Sequence, residues 1–321
     1  MSGRLEHKLE SEERMKHTLA EEPEYVTGFY RSLLNGHEYL TAQNYTKTAL
    51  RFLNYINYDL NDFTANKVDD FLLSLKGRKG ECSDSFKNTT RYALSSFGKY
   101  LKRSKILQEN PVEDTEKLPM RDCPEKVSMT SDELNLILQR IKENTLGTPS
   151  ERGRRKNWIE RNYAIFSILI TTGMRVNALV EIDVNDFNPD KGTLIVIEKR
   201  RKYMTYELEE STINAIKDWL TVRESYIGDF PCEAMFISNQ KRRMTAKSVR
   251  DLVKIYTVGI DKHITPHKFR STFVTTIYEE TGNIYLASQA VGHGNVGTTQ
   301  RYIATKDSSK KAAEIIRKKL E

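Results

Sequence analysis

The sequence predicts a mainly α-helical protein with one small antiparallel β-sheet, built as two domains. Three observations lead there. Apolar residues recur at helical spacing through most of the 321 residues. Alternation of strand type is concentrated in two neighbouring runs, TLIVIEK at 193–199 and YMTYEL at 203–208, which read as paired strands. A stretch rich in proline and charge, residues 113–127, separates two segments, each long enough to bury its own core.

Taken in order, residues 1–22 read as a charged tail or helix with no core of its own. From Pro23 the pattern turns helical: Tyr45, Leu50, Phe52, Leu53 and Ile56 form one apolar stripe, and Val68, Phe71, Leu72 and Leu75 another. GRKGE at 77–81 reads as a loop, and Ser85–Lys102 as a helix carrying Tyr92, Leu94, Phe97 and Leu101. Residues 23–112 are therefore expected to form a small helical domain, 113–127 an exposed linker, and 128–321 the second domain. That domain opens on a capping box, Thr130 to Glu133, followed by Leu134, Ile137, Leu138 and Ile141 on one helix face. A basic loop is expected over 144–158, then an apolar helix over 160–171 that stops at Gly173. Val180, Ile182 and Val184 alternate as a strand would. Helices are expected again at 211–221, 246–257, 266–280 and 283–291, with an amphipathic tail at 308–320.

Composition narrows the function classes. An apolar fraction of 38% and a charged fraction of 30% fit a soluble globular protein. The longest apolar run, YAIFSILI at 163–170, is far short of a membrane span, and the first residues lack the apolar core of an export signal. Three scattered cysteines (Cys82, Cys123, Cys232) form neither a disulfide framework nor a zinc site and fit a reducing cytoplasm. Net charge is +7, but residues 1–25 hold four Lys/Arg and seven Asp/Glu, which leaves the remainder at about +10. Basic clusters recur there at 152–156 (RGRRK), 198–202 (EKRRK) and 241–243 (KRR). Each alone is an ordinary solvated surface. Together they point to a polyanionic partner, because clustered cations bind phosphate backbones by releasing counterions.

Four places could carry chemistry. Arg175 follows a helix-terminating glycine in TTGMR, where a guanidinium can face outward to grip phosphate or simply complement a helix end. Lys199 and Lys202 flank a hairpin turn, and either could reach into a site as a proton donor. His267 and Arg270, three apart behind Pro266, share one face at a helix start that favours anions. His293 and Tyr302 lie nine residues apart in VGHGNVGTTQRYI. A phenol, with a pKa near ~10, becomes a useful nucleophile only where cations surround it and its target. Two arginines, a lysine and two histidines would provide that environment at a phosphodiester. The spacing offers no metal site and no nucleotide-binding loop, so neither metal nor cofactor is expected.

Read in order, Arg175, Lys199, His267, Arg270, His293 and Tyr302 resemble the signature of the tyrosine recombinase (phage integrase) family. TTGMR is similar to its TG-hydrophobic-Arg box, His267-Lys-Phe-Arg270 to its HxLR box, and VGHGNVGTTQRYI to its LGHSSISTTQ-x-Y box. The alignment of VIEKRRKYMTYEL with the family's lysine-bearing hairpin favours Lys199 over Lys202. The resemblance implies a helical core-binding domain followed by a catalytic domain, with Tyr302 as nucleophile and the other five residues around the scissile phosphate. It implies double-stranded DNA with specific recombination sites as the partner and no cofactor. A homotetramer on two sites, a dimer per site, would carry out the exchange, with DNA-bending or directionality proteins as accessory partners. The place of action would be the cytoplasm, at the nucleoid.

Arg152, Arg154, Arg155, Lys241, Arg242 and Arg243 are the candidate backbone contacts, and the 308–320 helix resembles the segment that relatives dock onto a neighbour. One departure stands out: the family usually has glutamate three residues after the first arginine, and this chain has Ala178, with Asn177 and Glu181 as possible substitutes. The biological role leans to integration and excision of a mobile element, with Xer-type chromosome-dimer resolution close behind. A type IB topoisomerase and a non-catalytic DNA-binding protein are the rival readings.

Overall fold

The computed structural model describes residues 12–77, 80–119, 128–198 and 202–292. The chain divides into two compact units, one ending at Pro124 and the other beginning at Glu125.

The first unit is helical: α1 (12–19), α2 (Glu24–Leu34), α3 (Tyr39–Tyr55), α4 (Ala65–Ser74) and α5 (Asp84–Arg103). Side-chain caps start the later helices, with Thr64 accepting from the Lys67 N–H and Ser83 from the Phe86 N–H. The core is aromatic. Phe52 lies 4.9 Å from Phe63 and 5.3 Å from Phe71, while Phe29 lies 5.0 Å from Phe97, ring centre to ring centre.

Three expectations are refined here. Residues 12–19 take the helical of the two readings, and their Met15 and Leu19 are buried in this cluster. The GRKGE stretch is the site of a minimal antiparallel pair, β1 (Lys76–Gly77) with β2 (Gly80–Glu81). Residues 113–119 are not free linker. Arg91, buried in α5, donates to the Val112 carbonyl (3.0 Å) and the Thr115 hydroxyl (2.6 Å), and Asn88 exchanges two hydrogen bonds with the Leu118 backbone.

The second unit is built around α8 (Ile159–Thr172), which packs against α6 (Ser131–Glu143), α10 (Glu210–Ile227) and α12 (Pro266–Thr281). Phe166 of α8 stands edge-on to Tyr256 and Phe269, and Trp219 of α10 donates to the Met235 carbonyl at 2.9 Å. The capping box at Thr130 and Glu133 is formed, and Gly173 ends α8 in the left-handed conformation at φ 59°.

A three-stranded antiparallel sheet has the order β3 (Phe187–Asn188), β4 (Thr193–Glu198), β5 (Lys202–Glu207). Leu194, Val196 and Tyr206 cover the core, whereas Ile195, Ile197 and Tyr203 face out. The other helices of the unit are α7 (Pro149–Arg155), α9 (Val176–Glu181), α11 (Ala246–Tyr256) and α13 (Ile284–Ala290).

Two readings change in this unit. The basic loop holds α7, started by a second capping box from Thr148 to Glu151 with Pro149 in the first turn. Val180 lies in helix α9 rather than a strand: Ala178, Leu179 and Val180 all reach the core, so tertiary burial overrides the two-residue alternation. The 308–320 tail lies outside the described residues.

Candidate active site

Arg175, His267 and Arg270 are described; Lys199, His293 and Tyr302 lie outside the described residues. What can be traced is how the surrounding segments are brought together.

Gly173 turns the chain sharply at the end of α8, and two residues later Arg175 occupies the N-terminal cap of α9 in extended backbone (φ −74°, ψ 140°), half-buried. Only glycine suits the turn. A Cβ at residue 173 would sit 2.7 Å from the Phe273 ring of α12, at a φ that L-residues avoid. On α12, Pro266 fixes the first turn and His267 follows it, exposed; Thr265 makes no side-chain cap.

Arg270, one turn further on, is the junction. It is 1% exposed; Nη1 donates to the Gly173 carbonyl at 2.9 Å and Nη2 to the Val291 carbonyl at 2.6 Å. The first bond ties α12 to the turn that presents Arg175, and the second ties it to the backbone two residues before His293. A guanidinium suits this task because its fixed fork of donors can satisfy two carbonyls in different directions.

The hairpin that leads to Lys199 is drawn in through another glycine. Gly292 has φ 64°, and a Cβ there would lie 2.7 Å from the Met204 sulfur of β5. Strand β5 and the start of the histidine box therefore meet through the Met204 side chain, against a glycine whose φ L-residues rarely adopt. Neither the Val291 carbonyl nor the Met204–Gly292 approach was foreseen from sequence; the glycine before His293 was their one visible signal.

Around this junction, Ala178 is buried in the core, Asn177 is exposed and Glu181 is half-buried. Among the described residues no group of three or more His, Cys, Asp and Glu side chains is placed to hold a metal ion.

The basic clusters divide. Arg155 donates to the Leu146 carbonyl and Arg152 to the Gly147 carbonyl. Arg243 donates to the Val180 and Ile182 carbonyls (2.9 and 3.2 Å) and pairs with Asp183. Lys241 leans over the Tyr226 ring and donates to the Ile227 carbonyl. Arg152 and Arg155 hold their own loop, Lys241 reaches the end of α10 and Arg243 the end of α9, whereas Arg154 and Arg242 are exposed. Arg155 and Arg243 thus also have a structural duty in the described fold.

Comparison with known proteins bears on the same boxes. The tyrosine recombinase XerC of Caldanaerobacter subterraneus is 33% identical over 227 residues, a match covering 69% of this chain and 59% of the relative. The XerH site-specific recombinase bound to palindromic difH substrate superposes with a TM-score of 0.67 at 20% identity, covering 88% of this chain and 80% of XerH. A lambda integrase tetramer bound to a Holliday junction gives a TM-score of 0.62 at 17% identity, over 87% of this chain and 76% of that one. At these identities the two structures testify to the fold. The profile of the phage integrase family matches residues 127–309, more than half of the sequence and all of the boxes considered above. The chain belongs to the phage integrase family.

Proposed function

We propose that the protein is a site-specific recombinase that cuts and rejoins DNA through a 3′-phosphotyrosyl intermediate. Tyr302 is the nucleophile in this reading. Its oxygen attacks the scissile phosphorus, the bond to the 5′ oxygen breaks, and Lys199 supplies the proton that this leaving oxygen takes up. Arg175, Arg270, His267 and His293 stabilise the charge gathering on the non-bridging oxygens. The released 5′-hydroxyl of a partner strand then attacks the phosphotyrosine. One phosphodiester is exchanged for another, so ligation needs no nucleotide.

The observation that carries this reading is the Arg270 junction, which ties the Arg175 turn and the approach to His293 onto the helix bearing His267. Double-stranded DNA is the partner and a tetramer on two sites is the acting assembly, a reading supported by the DNA-bound relatives. The two units correspond, in this reading, to a core-binding and a catalytic domain. Exposed Arg154 and Arg242 are the backbone contacts retained from the basic clusters.

Two biological roles are compatible with this chemistry. The GNIYLASQAVGH stretch at 282–293 is the feature behind integration and excision of a mobile element. The other role is Xer-type chromosome-dimer resolution, the reading that goes with the Xer-like layout. Mapping DNA trapped covalently in cells separates them, since adducts gather at element ends in one case and at a single chromosomal locus in the other.

The chemistry is tested with a nicked suicide duplex carrying the cognate site. An SDS-resistant adduct with the wild-type chain, absent in Tyr302→Phe and independent of magnesium, is expected. An adduct that persists without Tyr302, or that requires magnesium, overturns the proposal.

A further inference from the structure

Helix α12 is held from two sides. Its Arg270 side is bonded to Gly173 and Val291. Residue 272 lies about 200° further round the helix, facing the other way. There Thr272, 3% exposed, accepts a hydrogen bond at 2.9 Å from the backbone N–H of Met129, 143 positions earlier in the chain. Met129 is itself 4% exposed and part of the unit's core.

The same short segment is stapled once more just ahead of α12. Lys262 donates to the Ser128 carbonyl at 3.2 Å and to Glu133 at 2.8 Å, and Glu133 in turn closes the capping box of α6. Residues 128–133 are the first described residues of the second unit. The place where the chain enters this unit is therefore fastened to the helix that carries His267 and Arg270 and to the loop just ahead of it.

We infer that Thr272 is a positioning residue that couples the entry of the chain into the second unit to the placement of Arg270 and His267. The inference rests on the recombinase reading for its effect on cleavage, and on the hydrogen bonds alone for the coupling. Met129 offers a buried donor that no water can reach, so losing its acceptor leaves an unsatisfied N–H and loosens the segment. A pull on the chain at residue 128 then reaches α12 less directly, and Arg270 is held less firmly.

Thr272→Val keeps the shape and removes the acceptor; Thr272→Ser keeps the acceptor. Single-turnover cleavage at saturating suicide duplex is expected to fall roughly tenfold in Thr272→Val, as a lost buried hydrogen bond implies, with DNA affinity within about twofold of wild type. Thr272→Ser is expected to restore the rate. Hydrogen exchange is expected to rise together in 128–134 and 264–275 of Thr272→Val. Lys262→Met, which cuts the second staple, is expected to give the same paired rise and serves if Thr272→Val does not fold.

An unchanged cleavage rate in Thr272→Val, a Thr272→Ser variant as slow as the valine variant, or faster exchange in 128–134 with none in 264–275 overturns the inference. If the wild-type chain forms no adduct, the recombinase reading fails and the exchange data alone decide the coupling.

Discussion

The guanidinium of Arg270 reaches the Gly173 carbonyl at 2.9 Å, so the second arginine of the signature is anchored to the turn that presents the first. Arg270→Ala strands two buried carbonyls and is expected to destabilise the second unit by about 2–4 kcal/mol as well as abolish cleavage. Arg175→Ala is expected to lower single-turnover cleavage about a thousandfold, as loss of a charge-stabilising group implies. Thermal melts beside suicide-substrate assays check both.

Gly173→Ala should damage the site without touching a charged group. The left-handed backbone alone costs about 1–2 kcal/mol for an L-residue, and the new methyl meets the Phe273 ring. Adding Phe273→Leu is expected to recover part of the stability, leaving the backbone cost. Denaturant titration of the single and double variants gives the split.

Arg242 and Arg243 are neighbours in sequence with opposite duties. Arg243→Ala is expected to cost about 2–3 kcal/mol, because two backbone carbonyls and Asp183 lose their donor. Arg242→Ala is expected to be neutral for stability. It should lower DNA affinity and reduce the slope of log affinity against log salt by about 1. The reverse pattern would show that the exposed residue is not the one meeting phosphate.

The Glu133–Lys262 pair predicts an acid limb. Burial pushes the Glu133 carboxyl up, but the Lys262 ammonium and the Thr130 N–H and hydroxyl outweigh it and hold the carboxyl below its ordinary value of 4.5. A depressed carboxylate stabilises the fold above that ordinary value, and the contribution is lost as pH falls through the lower folded value. Glu133→Gln is therefore expected to lower stability at neutral pH and to flatten its decline below about pH 4.5, read from denaturation at stepped pH.

Several of the helices that sequence periodicity marked also carry local punctuation. Ser83 opens α5, the Thr130 box opens α6, and Gly173 closes α8, each within the residues that form it. The Thr148-Pro-Ser-Glu151 box spelled out α7 just as clearly, but the surrounding arginines disguised it as loop. For α9 the alternation of Val180, Ile182 and Val184 pointed to strand, since nothing local reveals which side of a six-residue element meets the core. The same blindness governs the basic clusters: composition counts guanidiniums but does not say whether Arg155 or Arg243 turns inward to a carbonyl. At the candidate site, the placement of Arg175 after a glycine and of His267 after a proline was legible. The bonds from Arg270 to Gly173 and Val291 were not, because they join segments about 20 and 100 residues away through backbone oxygens that every residue type carries alike.

The burial of Met15 and Leu19 bears on how the first unit can be handled in isolation. Polarity invites a fragment begun at Pro23, since most of what precedes it is charged. Such a fragment would bare the apolar surface that those two side chains cover, and neighbouring copies would be drawn to it. Self-association of that fragment would then be mistaken for a trait of the domain, when it belongs to the position of the cut.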